Sequence, residues 1–517
     1  MAKTVEQFKA WLKTPSHIRR VLVEVDNVTT STGTNSVTMY FSNGAFTSGS
    51  SDTPASKAYL PIIVGGVSFG ESFSTSGEIN VSFGDIELDN TGGAFDTLYP
   101  NLIWTRRPIR IYLGDPNWPK DDFKLLFNGL VADVSARDRD TINLVVVDKL
   151  QGLATAISET TITNSDTNTP QLVPLCFGEC FNVTPLLVNK STLEYQVHAG
   201  SIEDIIEVRD NGAPVSITKN LANGKFTLNQ APYGQITCSV QGDNTGGYTD
   251  LVGGIIKKIV TNFGPSANRL TNSDIDITNF TSFDSTYANR KVGIYINDRQ
   301  NILDVCTQIA TSTNAKLIFS VGPLSSDVDV GKLRLVKLKA NTTAVTDAAT
   351  GQSYIITGND IEERSITVSE KIPVKAAIKI AYCKNYTVQA SGLANGLPVA
   401  HVEFFKNEWL YTPDNTLTTL KSNYKLTSEV SQEDTLLITR AGAIAEATER
   451  LNFWYDSTNN RQRYVYTLTG YPHLFDLQLG DGISLTNRRF NLSNTIGTVI
   501  SINRDWIRGR VDIGVLV

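Results

Sequence analysis

The strongest constraint in this chain is a period of two. Runs in which apolar and polar residues alternate recur along it: Arg20-Val21-Leu22-Val23-Glu24-Val25, Ile79-Asn80-Val81-Ser82-Phe83, Ile109-Arg110-Ile111-Tyr112-Leu113 and Arg463-Tyr464-Val465-Tyr466-Thr467-Leu468. Successive side chains of a strand point to opposite faces, so this pattern specifies half-buried strands. Turn signals separate the early runs, at Asn43-Gly44, Gly65-Gly66, Gly92-Gly93 and Gly114-Asp115-Pro116. Several short strands at this spacing predict a sandwich or barrel over residues 19–160. The polar stretch 48–57, SGSSDTPASK, reads as a mobile loop within it. Composition points the same way, with 38 glycines against only 2 methionines, a mixture that favours strands and turns.

Helical spacing is confined to a few places. Thr4 and Gln7 fit a capping box ahead of Val5, Phe8, Trp11 and Leu12, which line one face of a short helix. That helix has two possible hosts, its own domain or a neighbouring subunit. Residues 158–170 have linker composition, and a smaller β-rich segment follows to about 245, marked by the hairpin signal Asn211-Gly212. Residues 249–263 and 300–312 then read as helices, the first capped by Thr249 and the second opened by Asn297 and Gln300. They lie among strands at 292–296, 316–319 and 332–336. The end of the chain returns to β, with a strand at 374–382, a helix at 438–455 and a closing hairpin of Gly497–Ile502 with Gly509–Val517.

The fold class is therefore mainly β with a smaller α+β part, in a multidomain chain of 517 residues. The expected division is 1–160, an N-terminal helix and first β-barrel; 166–245, a small β-rich domain; 246–365, an α+β domain; and 366–517, a second β-barrel with one helix. An internal echo links the two outer parts. Gly129-Leu130-Val131-Ala132-Asp133-Val134 runs through charged residues to Ile142–Val146, and Gly497-Thr498-Val499-Ile500-Ser501-Ile502 runs through charged residues to Val511–Val515. Both read as glycine, alternating strand, charged turn, alternating strand, and the two barrels are expected to be alike.

Several function classes are disfavoured. A net charge of −6 without any cluster of Lys and Arg disfavours specific nucleic-acid binding. Neither a membrane-spanning apolar run nor a signal-type N-terminus is present, so folding in a cytosol is expected. That setting makes Cys176, Cys180, Cys238, Cys306 and Cys383 free thiols in expectation. Cys176 and Cys180 have no second pair to complete a metal site. His17, His198, His401 and His473 are scattered, and no nucleophile elbow, phosphate loop or metallopeptidase motif occurs. Asp274/Asp276 and Asp327/Asp329 alternate and could bind calcium, but they lack the spaced oxygens of a loop site and read as solvated strand edges. Catalytic, cofactor-binding and metal residues are each assigned as none. Asn182-Val183-Thr184 is a glycosylation sequon in pattern only. The dispersed Trp104, Trp118, Trp409, Trp454 and Trp506 leave open a sugar-binding surface, with core or interface packing the stronger prior.

Four blocks, in order, resemble tail-tip (baseplate) hub proteins of long-tailed bacteriophages. They are Phe83–Asn90 with Trp104–Pro108 and Phe127–Gly129; Val173–Gly178 with Asn182–Pro185 and Arg209–Gly212; Asp298–Val305 with Gly331–Leu333; and Ala381–Gln389 with the region from Gly480 to Val517. The resemblance spans most of the chain. It implies two β-barrels related to the tail-tube fold plus small inserted domains, in a homotrimer whose six barrels match a sixfold tube. It implies a virion protein of the tail tip, assembled in the host cytoplasm, which closes the tube, links it to the central fibre and opens for DNA ejection. Its implied partners are other copies of itself, the tail tube or distal tail protein, the tape-measure protein and the central tail fibre protein, with no cofactor. The alternatives are a carbohydrate-binding host-recognition tail protein and a tail-associated cell-wall hydrolase, which would need a Cys–His pair or two carboxylates in a cleft.

Overall fold

Alternation commits the outer parts of the chain to strands, and strands must pair. The computed structural model describes all residues except 1–2, 15–16, 31–32, 34–35, 74–82, 99, 137, 164–168, 347–350, 352, 372–373 and 428–429. It is mainly β, with 41% strand and 21% helix. Two units form: one from Met1–Gly152, Ile318–Pro373 and Gln462–Val517, the other from Leu153–Leu317 and Val374–Arg461. The run Ile79–Phe83 lies outside the described residues except for Phe83.

The first unit is organised by one 14-stranded sheet. Its strands include β1 (Arg20–Thr30), β2 (Ser36–Ser42), β3 (Ile63–Ser72), β4 (Phe83–Asp89), β5 (Pro108–Gly114), β6 (Lys124–Ala136) and β7 (Thr141–Val147). Later in the chain come β8 (Ile355–Ile356), β9 (Thr367–Lys371), β10 (Tyr464–Gly470), β11 (Gly482–Asn487), β12 (Leu492–Asp505) and β13 (Arg510–Leu516). The segments expected as two barrels share this sheet, and no closed barrel is found among the described residues. They nevertheless follow one plan. The first set runs β1-β5-β6-β7-β4-β3 across the sheet, and the second runs β8-β11-β12-β13-β10-β9. Numbered along the chain within each set, both orders read first, fourth, fifth, sixth, third, second. The sets differ at β8, which pairs parallel with β11 where β1 pairs antiparallel with β5.

The likeness extends to single residues. Both hairpins of the sequence echo carry a bulge three residues after the glycine. The β6–β7 register shifts at Ala132, between Val131↔Val146 and Asp133↔Val145, and the β12–β13 register shifts at Ile500, between Val499↔Val515 and Ser501↔Gly514. A Cβ on Gly129 would stand 2.4 Å from the Val147 carbonyl oxygen, and one on Gly497 would stand 3.0 Å from the Leu516 oxygen and 2.5 Å from Val515 Cγ1. Val147 and Leu516 hold equivalent pairing positions, opposite Leu130 and Thr498. A side chain is therefore disfavoured at the same place in both hairpins, by the facing carbonyl at Gly129 and chiefly by the Val515 side chain at Gly497. Ahead of each bulge a loop docks alike. The Arg106 N–H donates to Val131 O and the Val131 N–H to Arg107 O; the Gly480 N–H donates to Val499 O and the Val499 N–H to Asp481 O. Arg106 and Gly480 both have positive φ, 63° and 86°.

The sets are joined by β3 against β12, with Ser68↔Asp505 through Ser72↔Ser501. Arg504 crosses this seam without exposure. Its guanidinium donates to Glu71 Oε2 at 2.7 Å, to Phe475 O at 3.0 Å and to Leu477 O at 2.5 Å. The N-terminal helix α1 (Val5–Leu12) has the expected Thr4–Gln7 capping box and packs on this unit. Lys9 Nζ reaches Asp476 Oδ2 at 2.7 Å and Trp11 Nε1 reaches Asp115 Oδ2 at 3.2 Å, so its host is its own fold. The stretch 48–57, expected to be loose, is tied down. Ser48 Oγ donates to Pro54 O, and Asp52 accepts from the Gly49 and Lys120 N–H groups.

The second unit holds a five-stranded sheet in the order 213–214, 202–210, 236–243, 175–183, 293–296, beside a four-stranded one built from 186–228. The Asn211-Gly212 turn has φ of 47° and 82°, the geometry a two-residue hairpin needs. Helices α2 (Val252–Asn262), α3 (Ile277–Thr286) and α4 (Ile302–Thr311) follow, then α5 (Arg440–Trp454) against the strand Ala377–Tyr382. Four local expectations are corrected. Thr249 does not cap α2; the Asp284 carboxylate of α3 takes the Gly253 and Gly254 N–H groups at 2.7 and 2.8 Å. The α4 cap is Asn301, not Asn297 or Gln300. Asp274-Ile275-Asp276 is a turn leading into α3, not a strand. The linker region folds back as the pair Thr161–Thr163 with Pro170–Leu172.

Removing Arg504 strands Glu71 in the interior. Arg504→Ala is expected to destabilise the first unit by about 3–5 kcal/mol, measured by thermal or denaturant unfolding. The double variant Arg504→Met, Glu71→Leu should recover part of that loss, because no charge then lies buried and unpaired.

Candidate functional site

Catalysis by a Cys–His pair is the chemistry most worth testing in the second unit, because Cys176, His198 and Asp243 come together there. Cys176 lies on the strand Leu175–Val183 and Asp243 ends the strand Ile236–Asp243. His198 is 1% exposed, and its Nδ1 accepts the Cys176 backbone N–H at 3.0 Å. That bond fixes the proton on Nε2, which faces Asp243 Oδ1 at 3.4 Å. Lys258 Nζ donates to Asp243 Oδ2 and to the Asp243 carbonyl, each at 2.9 Å. Burial works to raise the Asp243 pKa, but His198 and the Lys258 ammonium outweigh it and bring the carboxyl down to about 2. The imidazole has no lone pair left to receive a proton from a thiol. This order, with His198 joined to the main chain of Cys176 and not to its sulfur, makes a structural clamp.

The cysteines agree with that reading. All five are free and buried. Cys306 is fully buried on α4. Burial pushes the thiols of Cys180, Cys238 and Cys306 well up, and that of Cys383 up to about 12. A neutral thiol is neither a good nucleophile nor a metal ligand.

The acidic pairs are occupied locally. Asp276 caps α3 through the Asn279 N–H, and Asp274 accepts from the Thr271 N–H and hydroxyl. Asp327 and Asp329 sit in a 3-10 turn, not on a strand edge, with Asp329 paired to Lys332 at 2.9 Å. Among the described residues no group of three or more His, Cys, Asp or Glu could hold a metal ion. Of the other histidines, His473 faces Asp360 at 3.0 Å, His17 lies 3.8 Å from Asp115, and His401 is exposed. Asn182 of the sequon is fully buried, its amide donating to Asn385 Oδ1 and Thr387 O. Trp104, Trp454 and Trp506 are buried, and Trp118 and Trp409 are half-buried, so the tryptophans form no exposed sugar platform. No described helix is long and apolar enough to cross a membrane.

Sequence reasoning passed over one aromatic. Tyr233 is 96% exposed. It stands on the turn Pro232-Tyr233-Gly234, which Asp210 pins by accepting the Tyr233 and Gly234 N–H groups at 2.6 and 2.8 Å. Beside it is a cleft of about 220 Å³ with Leu228, Val215 and Ile236 among its apolar walls and Ser216 and Gln230 among its polar ones. The Pro-Tyr-Gly sequence signals a turn, but nothing in it signals the ring's exposure.

No family model matches the chain, and no curated protein matches it in sequence. Solved structures do resemble it. A 43 kDa tail protein of prophage MuSo2 from Shewanella oneidensis is 12% identical with a TM-score of 0.40, over 96% of this chain and 98% of that one. The prophage tail protein gp18 from Listeria monocytogenes EGD-e is 8% identical with a TM-score of 0.34, over 96% and 94%. The Francisella PdpA–VgrG complex contains a chain that is 8% identical with a TM-score of 0.32, over 96% of this chain and 52% of that one.

The clamp has a pH signature. Asp243 has a folded pKa of about 2, below its ordinary value of about 3.9. Its contribution is complete above pH 4 or so and is lost as pH falls toward 2. Asp243→Asn should lower the melting temperature at neutral pH and flatten its fall over that acid range, as read by calorimetry at a series of pH values.

Proposed function

We propose that this chain is a structural component of a phage tail tip, a hub whose copies form a ring closing the tail tube. The observation that carries the reading is the duplicated set in the first unit: two sets of six strands with one spatial order, one bulge position and one excluded side chain. Two equivalent modules in each of three copies give six around an axis, and a sixfold tube then docks on a threefold protein with each tube subunit meeting one module. The inserted part of such a hub is the second unit, Leu153–Leu317 with Val374–Arg461, rather than 166–245 and 246–365, because Ile318–Pro373 with β8 belongs to the first unit. Its partners are the tail tube or distal tail protein, the tape-measure protein and the central tail fibre. The role requires no catalysis and no cofactor. The net charge of −6 suits a wall past which DNA must slide, since each phosphate contact would slow exit. Native mass spectrometry of the purified chain should give a homotrimer, and imaging of tails should place three copies at the tip. One or six copies per tail, or a location on the head, would overturn the reading.

The Tyr233 turn favours a second role on the same protein, contact with a neutral saccharide. An aromatic ring this exposed gains nothing from the core. A cavity of roughly 150 Å³ already accommodates one six-membered ring, and the cleft has about 220 Å³. The cleft has no Lys, Arg or His to attract an anion, and both Asp210 oxygens are engaged by backbone. Saturation-transfer NMR with glucose, galactose and N-acetylglucosamine should show contact with at least one of them. Tyr233→Ala should abolish the contact without moving the melting temperature. No transfer to any of the three, or transfer unchanged in the variant, defeats this role.

A further inference from the structure

We infer that the chain closes a covalent cross-link on itself: the Lys9 amine condenses with the Asp476 side-chain carboxyl, losing one water and leaving an amide between α1 and the turn that precedes β11. The bond forms within one copy and is independent of how copies assemble.

Lys9 Nζ lies 2.7 Å from Asp476 Oδ2, and the two side chains are 4% and 10% exposed. Tyr354 closes a triangle with them. Its hydroxyl donates to Asp476 Oδ1 at 2.7 Å and accepts from Lys9 Nζ at 3.2 Å, with the His473 carbonyl a longer second acceptor at 3.2 Å. The Tyr354 ring centroid stands 4.8 Å from the lysine nitrogen. Phe8, Trp11 and Leu12 of α1 belong to the same buried core as Tyr354, Leu474 and Phe475. An amine, a carboxyl and a phenol are thus held in contact in an apolar setting.

Other buried carboxylates are held differently. Glu71 faces Arg504, Glu446 faces Arg290 and Arg450, and Glu24 faces Arg110 beside Lys120. A guanidinium stays charged and keeps its partner a carboxylate. Asp243 does meet a lysine, but it also faces His198, and Lys258 serves the Asp243 main-chain carbonyl as well. The Asp476 carboxyl has the Lys9 amine and the Tyr354 phenol as its partners.

A proton moved along the 2.7 Å hydrogen bond turns ammonium and carboxylate into amine and acid, with no change in net charge. Desolvation weighs against the charged pair and so favours this exchange. The amine lone pair then attacks Asp476 Cγ. Oδ1 takes up the negative charge of the tetrahedral intermediate, where the Tyr354 O–H already donates to it. The Cγ–Oδ2 bond breaks, and Oδ2 leaves as water with the proton it first received and a second one from nitrogen. One ammonium and one carboxylate become one amide and one water, and no oxidant or cofactor is needed. In dilute solution such a condensation is unfavourable, but groups held in contact act at effective concentrations on the order of 10⁵–10⁸ M. The residual exposure of Asp476 gives the water a way out. The amide joins residues 467 apart in sequence. It fixes α1 to the turn whose Phe475 and Leu477 carbonyls hold Arg504.

The test is the intact mass of the purified full chain after unfolding, with proteolytic mapping. The native chain should be lighter by one water, and digestion should give a branched peptide joining Lys9 to Asp476. Lys9→Arg keeps the charge and removes the nucleophile, so it should retain that water. In freshly translated protein, Tyr354→Phe should lower the cross-linked fraction about tenfold or more; an equal fraction would overturn the part given to Tyr354. A folded native chain that has lost no water, or one whose loss maps to any other residue, overturns the cross-link and leaves the ring reading untouched. A loss that persists in Lys9→Arg does the same. If Lys9→Arg fails to fold, the branched peptide from the native chain decides by its presence or absence.

Discussion

A guanidinium with no exposed surface needs a partner for each of its nitrogens, and Arg504 meets that requirement with parts of the chain that are far apart. Glu71 is 433 residues away in sequence, and the carbonyls of Phe475 and Leu477 belong to the turn that precedes β11. One side chain thus fixes the seam between the two six-stranded sets and the turn beside it. Burying an ion pair brings little net stability, because desolvation offsets the Coulomb gain, but a misaligned seam would leave Glu71 buried and unpaired. The pair therefore selects one register for β3 on β12. It does so although stretches of the second unit, Leu153–Leu317 and Val374–Arg461, interrupt the first unit in sequence.

The strands were legible because their burial is one-sided. Arg20–Val25 and Ile109–Leu113 alternate since one face meets the core, and the hairpins at Gly129 and Gly497 were visible as an echo for the same reason. What they share in space was not legible. A bulge is a property of register between two strands, so Ala132 and Ile500 carry no mark in sequence. The order of strands in the sheet depends on pairings that cross hundreds of residues. Helix α3 was missed because ITNFTSFDST is weakly amphipathic and rich in β-branched Thr, while the alternation in Asp274-Ile275-Asp276 imitated a strand. The α2 cap was misplaced because its partner, Asp284, lies 31 residues downstream.

The candidate sites divide in the same way. That the cysteines and histidines were scattered could be read directly, and the burial of the cysteines follows from their apolar neighbours. The meeting of His198 with Asp243 and the main chain of Cys176 could not be read, since it needs two strands to be adjacent. The ring tautomer, in turn, depends on a single backbone N–H. Composition alone cannot distinguish a catalytic triad from a clamp. The distinction rests on which Cys176 atom the imidazole meets.

The comparison of the two sets separates what a module must keep from what it is free to change. Side chains at equivalent places mostly differ, as Arg106 and Gly480 do, although both hold positive φ. A non-glycine residue pays about 1–2 kcal/mol for that conformation, and the module tolerates it because the docking bonds to Val131 are retained. At Gly129 and Gly497 no such tolerance exists. There a Cβ would meet the facing strand, the Val147 carbonyl oxygen at Gly129 and the Val515 side chain at Gly497, and relieving the clash would mean moving the hairpin that carries the bulge. In β12 the bulge divides the strand into one half that pairs with β11 of its own set and another that pairs with β3 of the first set. The residues most alike between the modules are therefore those that shape the backbone where one set hands over to another, and this is where the repeated sets have the least freedom to vary.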